Sequence, residues 1–210
     1  MSFRGCFIAG TDTDVGKTWL AVRLIAEMRR RSVQCIGMKP VECGAYEDSE
    51  ALHLASDEPE LSREMVNPVH LDLPIAPIAD ATVPIDIPEL VKNFENLAER
   101  FGTVVVEGAG GWLVPIDAER DFADLATALQ LPVVIVAADR LGVINHTRLT
   151  LAAIERAGLP IAGIYLNRIQ DDPTDPSQQS NLTSLRAVSE GVEVIDNDVE
   201  ALCDRLLDLS

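Results

Sequence analysis

The sequence predicts an α/β fold, a mostly parallel twisted sheet flanked by helices, in one domain spanning residues 1–210. Three observations carry this expectation. Short apolar runs alternate with helix-period segments nearly throughout, as in parallel strands joined by crossover helices. The runs are near-continuous in apolar character, as strands covered on both faces require. A glycine-rich turn joins the first run to the first helical segment.

The first strand is "CFIAG", followed by a helix over 17–31 whose buried side comprises Trp19, Leu20, Val22, Leu24, Ile25 and Met28. A second strand, "QCIGMK", ends at Lys39. From 40 to about 87 the pattern weakens to a short helix over 49–55 and the stretch "VNPVHLDLPIAPIADATVPIDIP", where proline density argues for loops and turns. Asp86 stands as an N-cap before "IPELVKNFENLAERF", with proline near the helix start and Gly102 at its end. Then come the strand "TVVVEG", a loop "AGGW", a helix over 122–129 and the strand "PVVIVAAD". A helix over 145–157 stops at Gly158 and Pro160, and the strand "IAGIYLN" follows. The tail reads as a loop "QDDPTDPSQQSN", a helix, a brief strand "VEVI" and a closing amphipathic helix, with no repeat or dividing linker.

With 47% apolar residues the 210-residue chain can bury a sizeable core. Asp and Glu number 34 against 17 Lys and Arg, a net charge of -17 that disfavours nucleic acid and anionic membranes as partners. An anionic nucleotide remains compatible, because a helix N-terminus and one lysine make a local positive field. Cys6, Cys35, Cys43 and Cys203 show no C-x-x-C pair or zinc spacing, so a reducing compartment is expected. The opening "MSFRGCFIAG" has no signal-peptide pattern and no apolar run reaches about 18 residues, so a soluble cytoplasmic protein is expected.

Residues 10–18, "GTDTDVGKT", approach the phosphate-loop pattern G-x-x-x-x-G-K-[ST] but place five residues between Gly10 and Gly16. Strand before and helix after supply the context in which backbone N–H groups hold phosphate oxygens, Lys17 reaches the β- and γ-phosphates and Thr18 binds Mg²⁺. The fold is therefore expected to be P-loop NTPase-like with a deviant, lengthened loop. Such a site also uses a carboxylate at a neighbouring strand end, where Glu107 and Asp139 both fit. The glycines that follow Glu107 favour it, since they let backbone approach an anion. Lys39 lies where open α/β sheets bind ligands, but taken alone it reads as a surface lysine. His53, His70 and His146 share no metal spacing and read as surface or packed residues, while Trp112 suits either packing beneath the loop or facing a ligand.

Together "GTDTDVGKT", "KPVECG", "NPVHLDLPIAPIADA", "VEGAGGWLVP", "DRLGVINHTRLT" and "GIYLNR" resemble, in order and spacing, the dethiobiotin synthetase family of biotin biosynthesis, from about residue 4 to 168. The resemblance implies a cyclo-ligase using ATP and Mg²⁺ that carboxylates 7,8-diaminononanoate. One amine takes up CO₂ as a carbamate, ATP phosphorylates it, and the second amine displaces phosphate to close the ring. Position by position, it implies Thr13, Lys17 and Lys39 in catalysis, with Thr13 and Lys39 facing the substrate. Asp14, Val15, Gly16, Lys17 and Thr18 would bind the nucleotide together with Glu107, Gly108 and Gly110, and Asn167 would recognise adenine. Thr18 and Glu107 would bind Mg²⁺, with Glu50 as the second acidic ligand and Asp48 as the fallback. Gly142, Val143 and Asn145 would receive the substrate carboxylate from the partner subunit of a homodimer. Cys43 stands where the family typically has serine, exchanging a hydroxyl for a weaker thiol donor, and the C-terminal region lacks the family's G-x-[IL]-P loop.

Two rivals share the loop. A partition-type switch ATPase carries a signature lysine five positions before Lys17, where this chain has Asp12, and its membrane attachment disagrees with the acidic C-terminus. The amide ligase domain of corrinoid synthesis normally adds a glutaminase domain, which has no counterpart in this sequence.

Overall fold

The computed structural model describes residues 4–80, 84–169, 174–189 and 191–209. In chain order they form β1 (Gly5–Gly10), α1 (Lys17–Arg30), β2 (Cys35–Met38), β3 (Val41–Cys43), α2 (Glu47–Ser56), α3 (Arg63–Val66), β4 (Val69–Leu71), α4 (Ile87–Phe101) and β5 (Thr103–Gly111). There follow α5 (Phe122–Leu129), β6 (Val133–Ala138), α6 (Val143–Ala157), β7 (Ile161–Asn167), α7 (Asn181–Val188), β8 (Val194–Asp196) and α8 (Val199–Leu207). Six strands make one sheet in the order β2-β5-β1-β6-β7-β8, every neighbouring pair parallel.

Local chemistry explains most boundaries. Ile87, Leu90, Phe94, Leu97 and Phe101 recur on one face of α4 and are buried. Gly102, at φ 83, ends that helix where other residues are strained. A capping box between Asp121 and Asp124 starts α5. Along β1 and β6 every residue is buried, as the unbroken apolar runs require. Leu20, Leu24, Ile25 and Met28 of α1 join the same core.

Several expectations need correction. The weakly patterned segment from 40 to about 87 is not all loop and short helix: β4, inside the proline-rich passage, pairs in parallel with β3, which precedes it, as a separate two-stranded sheet, and α3 lies between them in sequence. Pro40 and Pro68 immediately precede the two strands, where a missing N–H is harmless, so the prolines mark strand starts. Asp86 occupies the N-cap position of α4 without a side-chain capping bond. Trp19 is 39% exposed and lies beneath the Arg23 guanidinium, outside the buried side of α1. Val22 of that side is only half-buried. Trp112 is buried and meets Phe7 edge-on, which decides for packing.

The sheet order matters for function because β1 is the switch point. The chain leaves it toward β2 on one side, and β5 and β6 later fill the places flanking it. The carboxyl ends of β1, β2 and β5 are thereby neighbours.

Candidate active site

The loop between β1 and α1 is shaped by two close approaches. A Cβ on Gly10 would stand 2.9 Å from the Lys17 ammonium, so only glycine lets that side chain curl back, where Nζ donates to the Asp12 carbonyl at 3.2 Å. Gly16 caps α1 at φ 89, and a Cβ there would come within 2.0 Å of the Asn167 amide. From the end of β7, that amide donates to the Val15 carbonyl at 2.8 Å and pins the loop. α1 has no side-chain N-cap, so the backbone N–H groups of its first turn keep their capacity for an anion.

Beside the loop, three oxygen-bearing side chains and one ammonium converge. Thr18 Oγ1 lies 2.7 Å from Asp48 Oδ1 and 2.9 Å from Glu107 Oε1. Lys39 Nζ donates to Asp48 Oδ2 at 2.7 Å, to Glu107 Oε1 at 2.6 Å and to the Gly108 carbonyl at 3.3 Å. Lys39 is 2% exposed, not a surface lysine, and Glu107 is fully buried. The backbone at Lys39 is itself held, by Val66 O accepting its N–H and Asn67 donating to its carbonyl.

Burial disfavours the Lys39 ammonium, but Glu107 and Asp48 outweigh it and hold the group above its ordinary range. Burial pushes the Glu107 carboxyl up, with Lys39 offsetting only part of the rise. Burial also acts on Asp48, yet Lys39 and the Thr18 hydroxyl leave it below its usual value. Lys17 is lowered by burial and by the Lys39 charge.

A single hydroxyl proton serves only one carboxylate at a time, and Glu107 Oε2 is buried without a hydrogen-bond partner. Two carboxylates and a hydroxyl with spare lone pairs suit Mg²⁺, which takes one or two carboxylates and completes its shell with water and phosphate oxygens. Among the described residues no cluster of three or more His, Cys, Asp or Glu is gathered as a metal cage.

A cavity of about 700 Å³ opens over this cluster. It brings together Thr13, Asp14, Gly16, Lys17, Thr18, Lys39, Cys43, Glu107 and Gly110 of the expected residues, and Asp48 with them. Val15 is buried beneath the loop, Gly108 contributes a carbonyl to Lys39, and Asn167 reaches the loop backbone. Glu50 is a correction. It is exposed and outside the cavity, because positions two apart on a helix face nearly opposite directions, and α2 turns Asp48 inward. Gly142, Val143 and Asn145 lie at the start of α6; Gly142 and Asn145 line a different cavity, so a single chain does not unite them with the loop. The wall formed by 74–77 was not assigned from the sequence, although the quoted "NPVHLDLPIAPIADA" contains it.

A family model described as an AAA domain matches residues 4–201. A protein of Anaeromyxobacter dehalogenans (strain 2CP-1 / ATCC BAA-258) named ATP-dependent dethiobiotin synthetase BioD is 44% identical over 191 residues, covering 87% of this chain and 85% of that protein. One of the same name from Aromatoleum aromaticum is 42% identical, covering 87% and 85%. This chain belongs to the dethiobiotin synthetase family. Among solved structures, the cell division ATPase MinD of Pyrococcus furiosus superposes with a TM-score of 0.63 at 14% identity, covering 99% of this chain and all of that one. A ParA family ATPase from Chlorobium tepidum gives 0.57 at 13%, covering 99% and 90%. At such identities these likenesses show the P-loop fold alone, on which dethiobiotin synthetase family members place their own chemistry.

Proposed function

We propose that the chain, acting as one domain, catalyses the ATP- and Mg²⁺-dependent carboxylation of 7,8-diaminononanoate and its closure to dethiobiotin. Family membership supports the ATP-dependent ligase activity. The observation that carries the mechanism is Lys39 buried within 2.7 Å of both Asp48 and Glu107 beside the phosphate loop.

One substrate amine adds to CO₂ and loses a proton, giving a carbamate. A carbamate oxygen attacks the γ-phosphorus and ADP leaves with the bond electrons. The second amine then attacks the mixed anhydride's carbonyl carbon, loses a proton and expels inorganic phosphate. The first transfer brings anion onto anion, so cations must be fixed between them. Lys17 and the first turn of α1 hold the β- and γ-phosphates. Lys39, an ammonium across the working pH range, neutralises the carbamate and the group in flight. Thr18, Glu107 and Asp48 would hold Mg²⁺, which supplies charge neutralisation along the triphosphate when bound. Thr13 and Asp14 orient the second reactant from the lengthened loop, and the 108–111 backbone lies beside the amines. Cys43 offers the diamine a thiol contact, and Asn167 recognises the adenine.

Gly142, Val143 and Asn145 serve the partner's substrate carboxylate in a homodimer, a reading supported by the exposure of Gly142 and Asn145 apart from their own loop and by Leu141 beside them at 82% exposure, with Val143 buried beneath them. A cytoplasmic location agrees with three buried free cysteines and with the lack of a membrane-spanning helix among the described residues. The test is phosphate release from ATP by purified protein. Turnover is expected only with the diamine, bicarbonate and Mg²⁺ all present; a rate unchanged by omitting the diamine overturns the proposal.

A further inference from the structure

Glu42 of β3 is a buried acid that no step above uses. It is 2% exposed, and Oε1 accepts from the backbone N–H of Asp48 at 2.9 Å and of Ser49 at 3.1 Å. These N–H groups belong to the first turn of α2. The helix's own N-cap is Tyr46, which makes no side-chain capping bond. Its ring is stacked on His70 at 3.5 Å between centroids, with the Arg63 guanidinium 4.4 Å from its centre. With that ring held between His70 and Arg63, Tyr46 caps nothing, and the acceptor comes instead from Glu42 of β3. A carboxylate is well suited to it, since the helix N-terminus favours negative charge.

We infer that Glu42 is a positioning residue for the reaction: by fixing the first turn of α2 it aims the Asp48 carboxylate at Thr18 and Lys39. The connection is short. The N–H that Glu42 accepts is Asp48's own, and Asp48 is the residue whose two oxygens reach Thr18 and Lys39 at 2.7 Å each. A site built from the sole carboxylate of β5 and one helix-borne carboxylate depends on that helix's rotation. Glu50, two positions on and exposed, shows what a different rotation would leave in the site. The idea also accounts for an acid within "KPVECG", where its neighbours Lys39 and Cys43 line the cavity.

The inference rests on the reading of Asp48 as a metal-holding group, and the experiment separates the two. ADP affinity is measured by titration calorimetry with and without Mg²⁺ for Glu42→Met, Glu42→Gln, Asp48→Ala and the Glu42→Met/Asp48→Ala pair. Groups that orient a metal-holding residue typically matter by about 10- to 100-fold. Glu42→Met is expected to cut the Mg²⁺-dependent tightening by roughly tenfold while leaving metal-free ADP binding unchanged. Glu42→Gln, whose amide oxygen still accepts both N–H groups, should stay within about threefold of the parent. The double variant should be no worse than Asp48→Ala alone, as for residues acting through one group. Should Glu42→Met not fold, Glu42→Asp, one methylene too short to reach, is expected to shift the metal dependence the same way. A folded Glu42 variant lacking the acceptor but with parental Mg²⁺ dependence, or additive losses in the pair, overturns the inference. If Asp48→Ala itself leaves the Mg²⁺ dependence untouched, the metal reading falls and the inference falls with it.

Discussion

Lys39 concentrates the residue-scale argument, because it is both the cation nearest the proposed transfer and the partner of a fully buried acid. Lys39→Ala is expected to lower turnover by about 10²- to 10³-fold, the usual loss when one preorganised charge is removed from a transition state. It also leaves Glu107 facing Asp48, and breaking a buried pair costs about 3–5 kcal/mol. Without Lys39 the buried Glu107 can shed its unpaired charge by taking a proton, which brings the loss to the lower end of that range. With its folded value raised above the ordinary 4.5, the unpaired acid binds its proton more tightly in the folded chain. The stability deficit of Lys39→Ala should therefore grow as pH rises from about 4.5 and be small below it, and Glu107→Gln in the same chain should recover most of it. Melting curves across pH check this; a pH-independent deficit contradicts it. The sequence alone made Lys39 look like a surface group because its partner lies 68 positions away and only the sheet brings them together. The motif favoured Glu50 over Asp48 because a sequence does not show how α2 is rotated, and the Glu42 carboxylate that accepts from the Asp48 and Ser49 N–H groups lies on a separate strand.

At the scale of elements, legibility followed punctuation. α4 and β7 have their expected limits because proline, glycine and apolar periodicity mark them. β3 and β4 escaped because three residues are too few to show a period, and their flanking prolines resemble loop. Charge placement at the end of α1 was also invisible. Glu27 accepts from Arg30 at 2.7 Å and from Arg31 at 2.6 Å, and Arg31 goes on to Asp204 of α8, clasping the two helices. The hydrogen bonds from Arg30 and Arg31 pull the Glu27 carboxyl down to about 2 from its ordinary 4.5. A depressed acid stabilises the fold above its unfolded value and loses that contribution as pH falls through the folded one. Stability is thus expected to decline between about pH 4.5 and 2 in the parent, and Glu27→Gln should flatten that part of the curve while lowering stability at neutral pH. Denaturant titrations at several pH values decide it, and an unchanged acid limb contradicts the clasp.

For the whole molecule, strand order does what no local motif can: it places the ends of β1, β2 and β5 side by side, so a loop, a lysine and an acid from three segments share one cavity. The fold is shared with a cell division ATPase and a ParA family ATPase at 14% and 13% identity, so the fold by itself does not name the chemistry. A net charge of -17 is no obstacle to triphosphate binding when Lys17, Lys39 and a helix N-terminus are gathered at one point. The lengthened loop itself was legible because Gly10, Gly16, Lys17 and Thr18 form their pattern within one short run between a strand and a helix, although the contact that fixes Gly16 comes from Asn167 far along the chain. In the proposed reaction, what sets this chain apart from a simple nucleotide switch is that ATP is spent on joining carbon to two nitrogens. The direct measurement is incubation with the diamine, ATP, Mg²⁺ and ¹³C-bicarbonate, followed by mass spectrometry of the product and a count of phosphate. The expected result is dethiobiotin carrying a single ¹³C in its urea carbon, with phosphate released in equal amount. Phosphate released without labelled product would contradict the account.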